Sequence, residues 1–310
     1  MSASKDSARQ AAAPVNGLLL LNKPAGITSN QALQKVKRLL KAKKAGHTGS
    51  LDPAATGMLP LCFGEATKVC AYLLEADKSY RVTARLGEAT NTGDADGEVT
   101  ETAAVPDLDR RGWEEVLEQF VGETEQVPPM YSALKINGKR LYELARKGQI
   151  VDRDARSIRI DDISLLEISG NRLVLRVHCS KGTYIRTLVE DIAKSAGTLA
   201  HTARLHRETV GDFQAEDMLD LPGAERVAEA GPEALRARLL PTDVALASWP
   251  DCHIPEDAAE RFCGGQAVQH AGDGVEGLVR VYTVNKQFLG VGNLSADGLL
   301  APRRIFMLAG

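Results

Sequence analysis

Hydrophobic and polar residues follow periods along this chain that predict both strands and helices. Gly17–Leu21 is an unbroken apolar run, typical of a buried strand, and residues 22–26 after it predict a turn. In residues 80–86 apolar and polar side chains alternate, which predicts a strand with one buried face. The runs 158–168 and 172–178 also have the character of strands. The pattern therefore predicts a sheet built from several separate segments.

Three segments carry apolar residues at the spacing of an amphipathic helix. The first predicted helix has Ser29 as its N-cap, runs to about Lys44 and is ended by Gly46. A second apolar stripe lies at 113–121, and a third helix is predicted from about Tyr184. Helices and strands together favour the α+β class.

The character of the chain changes after Leu240. Residues 248–255 contain two prolines and predict a linker. Beyond it, the short apolar runs Leu278–Val284 and Phe288–Leu294 are punctuated by glycines, which predicts a small β-rich domain. The first residues are small and polar and predict a disordered tail. The predicted units are the tail (1–13), a main domain (14–246) and a C-terminal domain (250–310).

Composition narrows the class of protein. The chain is 44% hydrophobic and 25% charged, as in ordinary globular proteins, and no apolar run approaches the ~20 residues that span a bilayer, so we expect no membrane partner. The five cysteines form no CxxC pair, which disfavours a zinc cluster and favours reduced thiols in a cytoplasmic protein. With no nucleotide-binding fingerprint either, we expect no metal and no cofactor.

The net charge of −3 conceals a polarised distribution. Lysines and an arginine without any acid lie between Leu33 and His47, and bases outnumber acids in residues 135–159. Acids predominate in residues 88–125. Each run taken alone is most simply a solvated face of the protein. Basic segments on both sides of a glycine-rich loop, taken together, favour RNA as a partner.

That glycine-rich loop, Gly46–Gly64, is the segment most suggestive of chemistry. It places Asp52 five residues after His47 and before the apolar run Met58–Phe63. Taken alone, the Asp52-Pro53 pair is most simply a turn or a helix N-cap. A carboxylate presented by a loop can also act as a general base or as a nucleophile.

Five motifs of the chain resemble, in order, those of the tRNA pseudouridine-55 synthases, the TruB family. They are LLLNKPAGITS, GHTGSLDPAATGMLPLCFGEATK, DKSYRVTARLGEATNTGDADGE, VPPMYSALKINGKRLYELARKG and CSKGTYIRTLVEDI. The resemblance covers about residues 17–210 and identifies 126–156 as an RNA-gripping insertion, the thumb. It implies a mixed, largely antiparallel sheet flanked by helices, the pseudouridine synthase fold. The last sixty residues resemble, more loosely, the PUA-type RNA-binding domain of bacterial members.

The resemblance implies that the chain converts uridine to pseudouridine at position 55 in the T-loop of tRNA. The N1–C1′ bond breaks, the uracil turns over and the C5–C1′ bond forms, without a cofactor. We expect a monomer that contacts the T-arm. Two alternatives remain open, namely a pseudouridine synthase for another RNA and a non-catalytic protein that binds or folds tRNA.

The same resemblance assigns roles to single residues. Asp52 is the catalytic aspartate, which either attacks C1′ or takes a proton from C2′. Arg186 holds Asp52 ionised, since a neighbouring cation lowers the pKa of a carboxylate. Tyr80 stacks on the flipped uracil and assists the last proton removal, and His47 fills the space left by extruded bases. The residues that match the uracil-pocket positions are Tyr184 and Leu205.

Basic residues of the first predicted helix and of the thumb are expected to contact RNA phosphates, which position RNA without reading its sequence. They are Lys35, Lys41, Lys43, Lys44, Lys139, Arg140 and Arg146. Lys23 matches a family lysine, with either a structural or a phosphate-facing role. For the acidic segment, residues 88–125, we expect only solubility and repulsion of RNA from that face.

Overall fold

The computed structural model describes residues 14–136, 138–270 and 275–308. The predicted tail, residues 1–13, lies outside the described residues. The helices are α1 (Ser29–Leu39), α2 (Cys70–Glu75), α3 (Arg110–Glu118), α4 (Leu141–Ala145), α5 (Ile185–Ser195), α6 (Leu221–Glu229), α7 (Pro232–Arg236) and α8 (Glu256–Cys263). Short 3₁₀ helices cover Gly64–Val69, Ala215–Asp217 and Thr242–Leu246. Within these ranges, no helix is long and apolar enough to cross a membrane.

The strands form two larger sheets and two hairpins. They are β1 (Gly17–Lys23), β2 (Ala45–His47), β3 (Thr56–Phe63), β4 (Lys78–Leu86), β5 (Glu88–Thr90), β6 (Val99–Thr102), β7 (Gly122–Gln126), β8 (Lys135–Ile136), β9 (Lys139–Arg140), β10 (Arg156–Ser169), β11 (Arg172–Cys179), β12 (Ala200–Val210), β13 (Leu219–Asp220), β14 (Asp251–Ile254), β15 (Val268–Gln269), β16 (Gly277–Thr283), β17 (Phe288–Leu294) and β18 (Leu299–Ile305).

The main sheet has the strand order β13-β1-β3-β12-β4-β11-β10-β7, with β2 joined to β3. Most neighbours run antiparallel, while β1–β13 and β3–β12 run parallel. Helices α3 and α5 cover one half of the sheet. Helices α1, α6 and α7 cover the other half. The predicted α+β fold, a mixed and largely antiparallel sheet flanked by helices, is confirmed.

Hydrophobic periodicity explains which strands are buried on both faces. In β4 the buried Val82 alternates with the exposed Arg81, as the alternation predicts. In β1, Leu19 packs under α1 and α6, whereas Leu18 and Leu20 face residues of the C-terminal domain. Both faces of β1 are therefore apolar, and burial of each leucine stabilises the fold by about 1.5–3 kcal/mol.

Helix α1 begins one residue earlier than predicted, because Thr28 and not Ser29 is its N-cap. The Thr28 Oγ1 accepts the Gln31 N–H at 3.1 Å, and the Gln31 side chain accepts the Thr28 N–H at 2.8 Å. This reciprocal capping box satisfies two backbone donors at the helix start. The buried Ser29 hydroxyl is left to bond elsewhere.

Helix α1 also ends earlier than predicted, at Leu39 and not at Lys44. Lys41 adopts a left-handed backbone, φ 54°, and the Ala42 N–H donates to the Lys37 carbonyl at 3.0 Å. This Schellman arrangement closes the helix and turns the chain into β2. Sequence periodicity missed it because a lysine occupies the position that usually signals the turn with glycine.

The C-terminal sheet has the strand order β14-β16-β17-β18-β15 and matches the predicted β-rich character. Part of the predicted linker is in fact β14, since Cys252 and Ile254 are buried and the strand pairs in parallel with β16. Helix α8 was not predicted either, and its Phe262 is fully buried in the core of this domain.

The two domains share an apolar cluster. Phe288 and Phe306 of the C-terminal domain pack in the same cluster as Leu18 of β1. Nearby, the Met307 N–H donates to the Glu65 carboxylate at 2.8 Å. The C-terminal domain is thus packed against the main sheet through a hydrophobic interface.

Candidate active site

A cleft of about 290 Å³ opens beside the centre of the main sheet. Its walls come from the loop between β2 and β3, from β4 and β12, and from the start of α5. The structure brings together in this cleft five of the residues that the sequence assigned to the reaction. They are Asp52, Tyr80, Tyr184, Arg186 and Leu205.

The Asp52 loop is pinned to α1 and to the turn after β1. The Leu51 N–H donates to the Ser29 Oγ at 2.8 Å, and that hydroxyl donates back to the Leu51 carbonyl at 3.1 Å. The Gly26 N–H donates to the Pro53 carbonyl at 2.9 Å. Backbone contacts on both sides therefore fix the position of the Asp52 carboxylate.

Lys23 is part of this support and does not face an RNA backbone. Its side chain is fully buried, and the ammonium donates to the carbonyls of Pro24, Ile27 and Pro53 at 2.7, 2.7 and 3.2 Å. Burial lowers the pKa of Lys23 to about 8, with the Asp52 charge acting in the opposite direction. Of the two roles weighed for Lys23, the phosphate-facing one is wrong because solvent and RNA cannot reach the ammonium.

Arg186 forms an ion pair with Asp52. Its Nε lies 3.1 Å from the Asp52 Oδ2, and its side chain is 6% exposed against 42% for Asp52. Its Nη1 donates to the Thr92 carbonyl at 2.7 Å, and its Nη2 donates to the Tyr131 carbonyl at 2.5 Å. These contacts hold the guanidinium in place, so that its Nε faces the Asp52 carboxylate.

The net effect on Asp52 differs from the lowered pKa that the sequence predicted. Burial in the cleft raises the pKa of Asp52, and the Asp94 carboxylate adds to that rise. The Arg186 charge lowers the pKa but does not outweigh burial. Desolvation disfavours the ionised form, so the ion pair is what keeps a carboxylate available here.

Asp94 is a site residue that sequence reasoning missed. It lies in the loop between β5 and β6, and its Oδ2 is 3.4 Å from the Arg186 Nη1. A backbone bridge from Asp94 to Thr202 attaches this loop to β12. The acidic segment therefore has a further role, because one of its acids enters the ion-pair network. The available signal was its place in the motif that also contains Tyr80.

Arg207 is the second residue that was missed. It lies on β12 beside Tyr80 of β4 and lines the cleft, yet only 1% of it is exposed. Its Nε donates to the Met58 carbonyl at 2.7 Å, and its Nη2 donates to the Gly49 carbonyl at 2.9 Å. Its backbone packs on Gly57, where a Cβ would lie 2.2 Å from the Arg207 carbonyl oxygen, so only glycine fits.

Tyr80 and Tyr184 both line the cleft and come from different elements, β4 and the start of α5. Tyr80 is 8% exposed, and burial raises the pKa of its hydroxyl, with the Arg207 charge acting against that rise. Tyr184 is the N-cap of α5, and its N–H donates to the Gln126 Oε1 at 2.8 Å. Gln126 is the first residue of the thumb, so this hydrogen bond connects the thumb to the cleft. Leu205 is partly buried in the cleft wall.

Three family profiles match consecutive parts of the chain. They are the TruB family pseudouridylate synthase N-terminal domain at 37–185, the tRNA pseudouridylate synthase B C-terminal domain at 186–247, and the pseudouridine synthase II TruB C-terminal domain at 250–306. A relative from Nitrosococcus oceani is 52% identical over 94% of each chain and is called tRNA pseudouridine synthase B. The chain belongs to the TruB family of pseudouridine synthases.

Other similarities agree with this membership. A Pseudomonas putida relative, also called tRNA pseudouridine synthase B, is 51% identical and covers 94% of this chain and 95% of its own. A crystal structure of a Cbf5-Nop10-Gar1 complex matches with a TM-score of 0.73 and 26% identity, covering 94% of this chain and 85% of that one. The predicted family is confirmed, and this TruB-family chain is an enzyme of the isomerase class.

His47 lies apart from the residues that line the cleft. It is on β2, paired with Leu61 of β3, and it is partly exposed. Burial lowers the pKa of His47, and the Arg207 charge lowers it further. The imidazole is therefore neutral at neutral pH, which suits stacking on a base better than binding a phosphate.

The basic residues predicted to bind RNA, other than Lys23, lie at the surface and form what we call the basic surface. They are Lys35, Lys41, Lys43, Lys44, Lys139, Arg140 and Arg146. In the thumb, which contains β8, β9 and α4, the Arg140 Nη1 donates to the Tyr142 hydroxyl at 2.9 Å. The Arg146 guanidinium lies 5.4 Å from the centre of the same ring.

One group of possible metal ligands lies outside the cleft. Asp77, Asp161 and His178 approach one another at the edge of β4, β10 and β11. The Arg159 guanidinium, however, is bonded to both carboxylates, with its Nη2 3.1 Å from the Asp77 Oδ2. Arg159 therefore supplies the positive charge that a metal ion would otherwise bring to these carboxylates.

Proposed function

We propose that this TruB-family enzyme converts uridine to pseudouridine at position 55 in the T-loop of tRNA. The observation that carries the proposal is the Asp52–Arg186 ion pair at 3.1 Å in a cleft lined by Tyr80, Tyr184 and Leu205. The names of the two relatives, both tRNA pseudouridine synthases, support tRNA as the substrate.

The size of the cleft supports base flipping. At about 290 Å³ it lies just below the ~300–1,000 Å³ typical of small-ligand pockets, which suits one nucleoside and not a helix. A uridine inside a folded loop must therefore leave its stack to reach Asp52, at a cost of a few kcal/mol. His47 offsets part of this cost by occupying the space that the extruded bases leave.

Within the cleft Asp52 acts as an ionised carboxylate. It either bonds to C1′ or removes the C2′ proton, and in both routes the N1–C1′ bond breaks with its electron pair on the uracil. Arg186 orients the carboxylate and favours its ionised form. Tyr80 stacks on the uracil and assists removal of the C5 proton after the C5–C1′ bond forms.

The basic surface provides the grip on the T-arm. Its exposed lysines and arginines meet backbone phosphates, which places the loop over the cleft and makes binding salt-dependent. The C-terminal domain extends the contact toward the acceptor end of the tRNA. We further propose that the enzyme acts as a monomer in the cytoplasm.

The test is tritium release from tRNA containing [5-³H]uridine, comparing the wild type with Asp52→Ala. Release by the wild type and none by the variant is expected, since replacement of the C5 hydrogen accompanies the isomerisation. Filter binding of the same tRNA controls for lost affinity. Mapping of pseudouridine in the product must place it at position 55; a product at another site, or only in another RNA, contradicts the proposal.

A further inference from the structure

The guanidinium of Arg207 is a buried positive charge without a carboxylate beside it. Its side-chain hydrogen bonds to Met58 and Gly49 go to neutral carbonyl oxygens, and the Tyr80 hydroxyl beside it is also neutral. Within the described parts of the chain it forms no ion pair, whereas Arg186 is paired with both Asp52 and Asp94. The two arginines of the cleft are therefore electrostatically different.

A buried charge that lacks a counter-charge is costly, because the protein interior solvates it less well than water does. Burying Arg207 also restricts which residues can occupy two neighbouring positions. Gly57 leaves room for its backbone, and Gly49, with a φ of +72°, leaves room for its Nη1, which would lie 3.3 Å from a Cβ there. Such a charge creates a fixed positive potential in the cleft that attracts an anion.

The reaction proposed above produces an anion inside the cleft. When the N1–C1′ bond breaks, its electron pair stays on the uracil, and the negative charge spreads over N1 and the two carbonyl oxygens. This holds whether Asp52 attacks C1′ or removes the C2′ proton. The base must then rotate and attack C1′ through C5 before it is lost or protonated.

Resting on that proposed function, we propose that Arg207 is a positioning residue whose uncompensated charge stabilises the uracil anion between bond cleavage and bond formation. It acts through its field and by holding the Gly49 backbone in place at the cleft wall. Fixed charges of this kind contribute most where water is excluded and where no reorganisation is needed. Arg186 is less suited to this purpose, because the Asp94 carboxylate still matches its charge after Asp52 has bonded to C1′ or taken a proton.

The test uses two target RNAs, one with uridine and one with 5-fluorouridine at the reacting position. Fluorine makes the base a better anion, so it needs less help from Arg207. Single-turnover loss of the original nucleoside is followed for the wild type, Arg207→Met and Arg207→Lys, with the exposed Arg172→Met as control. Filter binding and the melting temperature are measured in parallel.

We expect Arg207→Met to lose about 10²-fold in rate with the uridine RNA, a magnitude typical of a lost electrostatic donor. The loss with the 5-fluorouridine RNA is expected to be at least about tenfold smaller, and Arg207→Lys is expected to fall between the wild type and the Met variant.

Equal losses with the two RNAs overturn the inference, because a misfolded or loosened site slows both alike. An unaffected Arg207→Met overturns it as well. A wild type that converts neither RNA contradicts the proposed function itself. Since the comparison is made within one protein sample, partial unfolding of a variant cancels from the ratio of its two rates.

Discussion

In the cleft and in the structure that supports it, the charged side chains have fixed partners, whereas on the basic surface most cations face solvent. Arg186 is bonded to Asp52 and to two backbone carbonyls, and Lys23 is bonded to three. Lys41, Lys43 and Lys44 are exposed at the end of α1. The first arrangement suits chemistry, where the position of a charge decides the rate. The exposed cations suit the binding of an RNA backbone, in which many individually weak phosphate contacts add up.

Apart from loss of Asp52 itself, the largest effect is expected from Arg186→Lys. Lysine keeps the charge but cannot make the planar set of bonds to Asp52, Thr92 and Tyr131. We expect kcat to fall by about 10²–10³-fold while the Kd for tRNA stays within about twofold. Single-turnover rates and filter binding measure the two. Full turnover by this variant contradicts the orienting role of Arg186.

Tyr80→Phe is expected to have the next largest effect. The ring is kept, so stacking and tRNA binding persist, but the hydroxyl that assists proton removal is gone. We expect a fall in kcat of about 10²-fold, at the lower end of the usual range for acid–base groups. Rapid-quench measurement of pseudouridine formation checks this. Unchanged turnover assigns Tyr80 to stacking alone.

A change to the basic surface is expected to alter binding and leave chemistry intact. For the double variant Lys43→Ala/Lys44→Ala, the slope of log K against log salt concentration is expected to fall by roughly 0.7–0.9 for each phosphate that the variant no longer neutralises. The control is Lys194→Ala/Arg172→Ala, which removes two exposed cations elsewhere. Equal slopes in the two double variants refute the assigned grip.

The smallest effect is a shift in the pH profile. Because burial raises the pKa of Asp52, its ionised fraction falls at a higher pH than in a free aspartate, and kcat is lost as pH falls through that raised value. The Asp94 charge contributes to the rise, so Asp94→Asn is expected to move the acidic limb to lower pH. Single-turnover rates across the acidic range measure it. A limb that moves upward contradicts this sign.

Sequence reasoning identified what is local in the chain. The alternation in β4, the apolar run of β1 and the motif around Asp52 each lie within one short segment, so their patterns are readable without the fold. The role of Arg207 and the contact between Asp94 and Arg186 became visible only in the structure. Asp94 meets Arg186 across 92 positions, and Arg207 reaches Met58 across 149. The identity of a charged residue in the sequence does not reveal whether its side chain is buried or which groups it contacts.

The errors in the helix and linker predictions share that cause. Lysine is a common residue within helices, but the backbone of Lys41 is left-handed and ends α1. Residues 251–254 look like a linker because prolines flank them, yet pairing with β16 makes them a strand. Lys23 was assigned either a structural or a phosphate-facing role, and the three carbonyls that surround its ammonium exclude the second. A local backbone turn ends α1, whereas tertiary contacts decide the structure of residues 251–254 and the role of Lys23.

The apolar cluster that joins the two domains has a consequence for how this chain can be divided. A fragment that stops before β14 would leave Leu18, Val69 and Phe213 without their partners from the C-terminal domain. Such a fragment is expected to aggregate, because it exposes a contiguous apolar patch to water. We therefore expect the two domains to unfold and refold together in one cooperative transition.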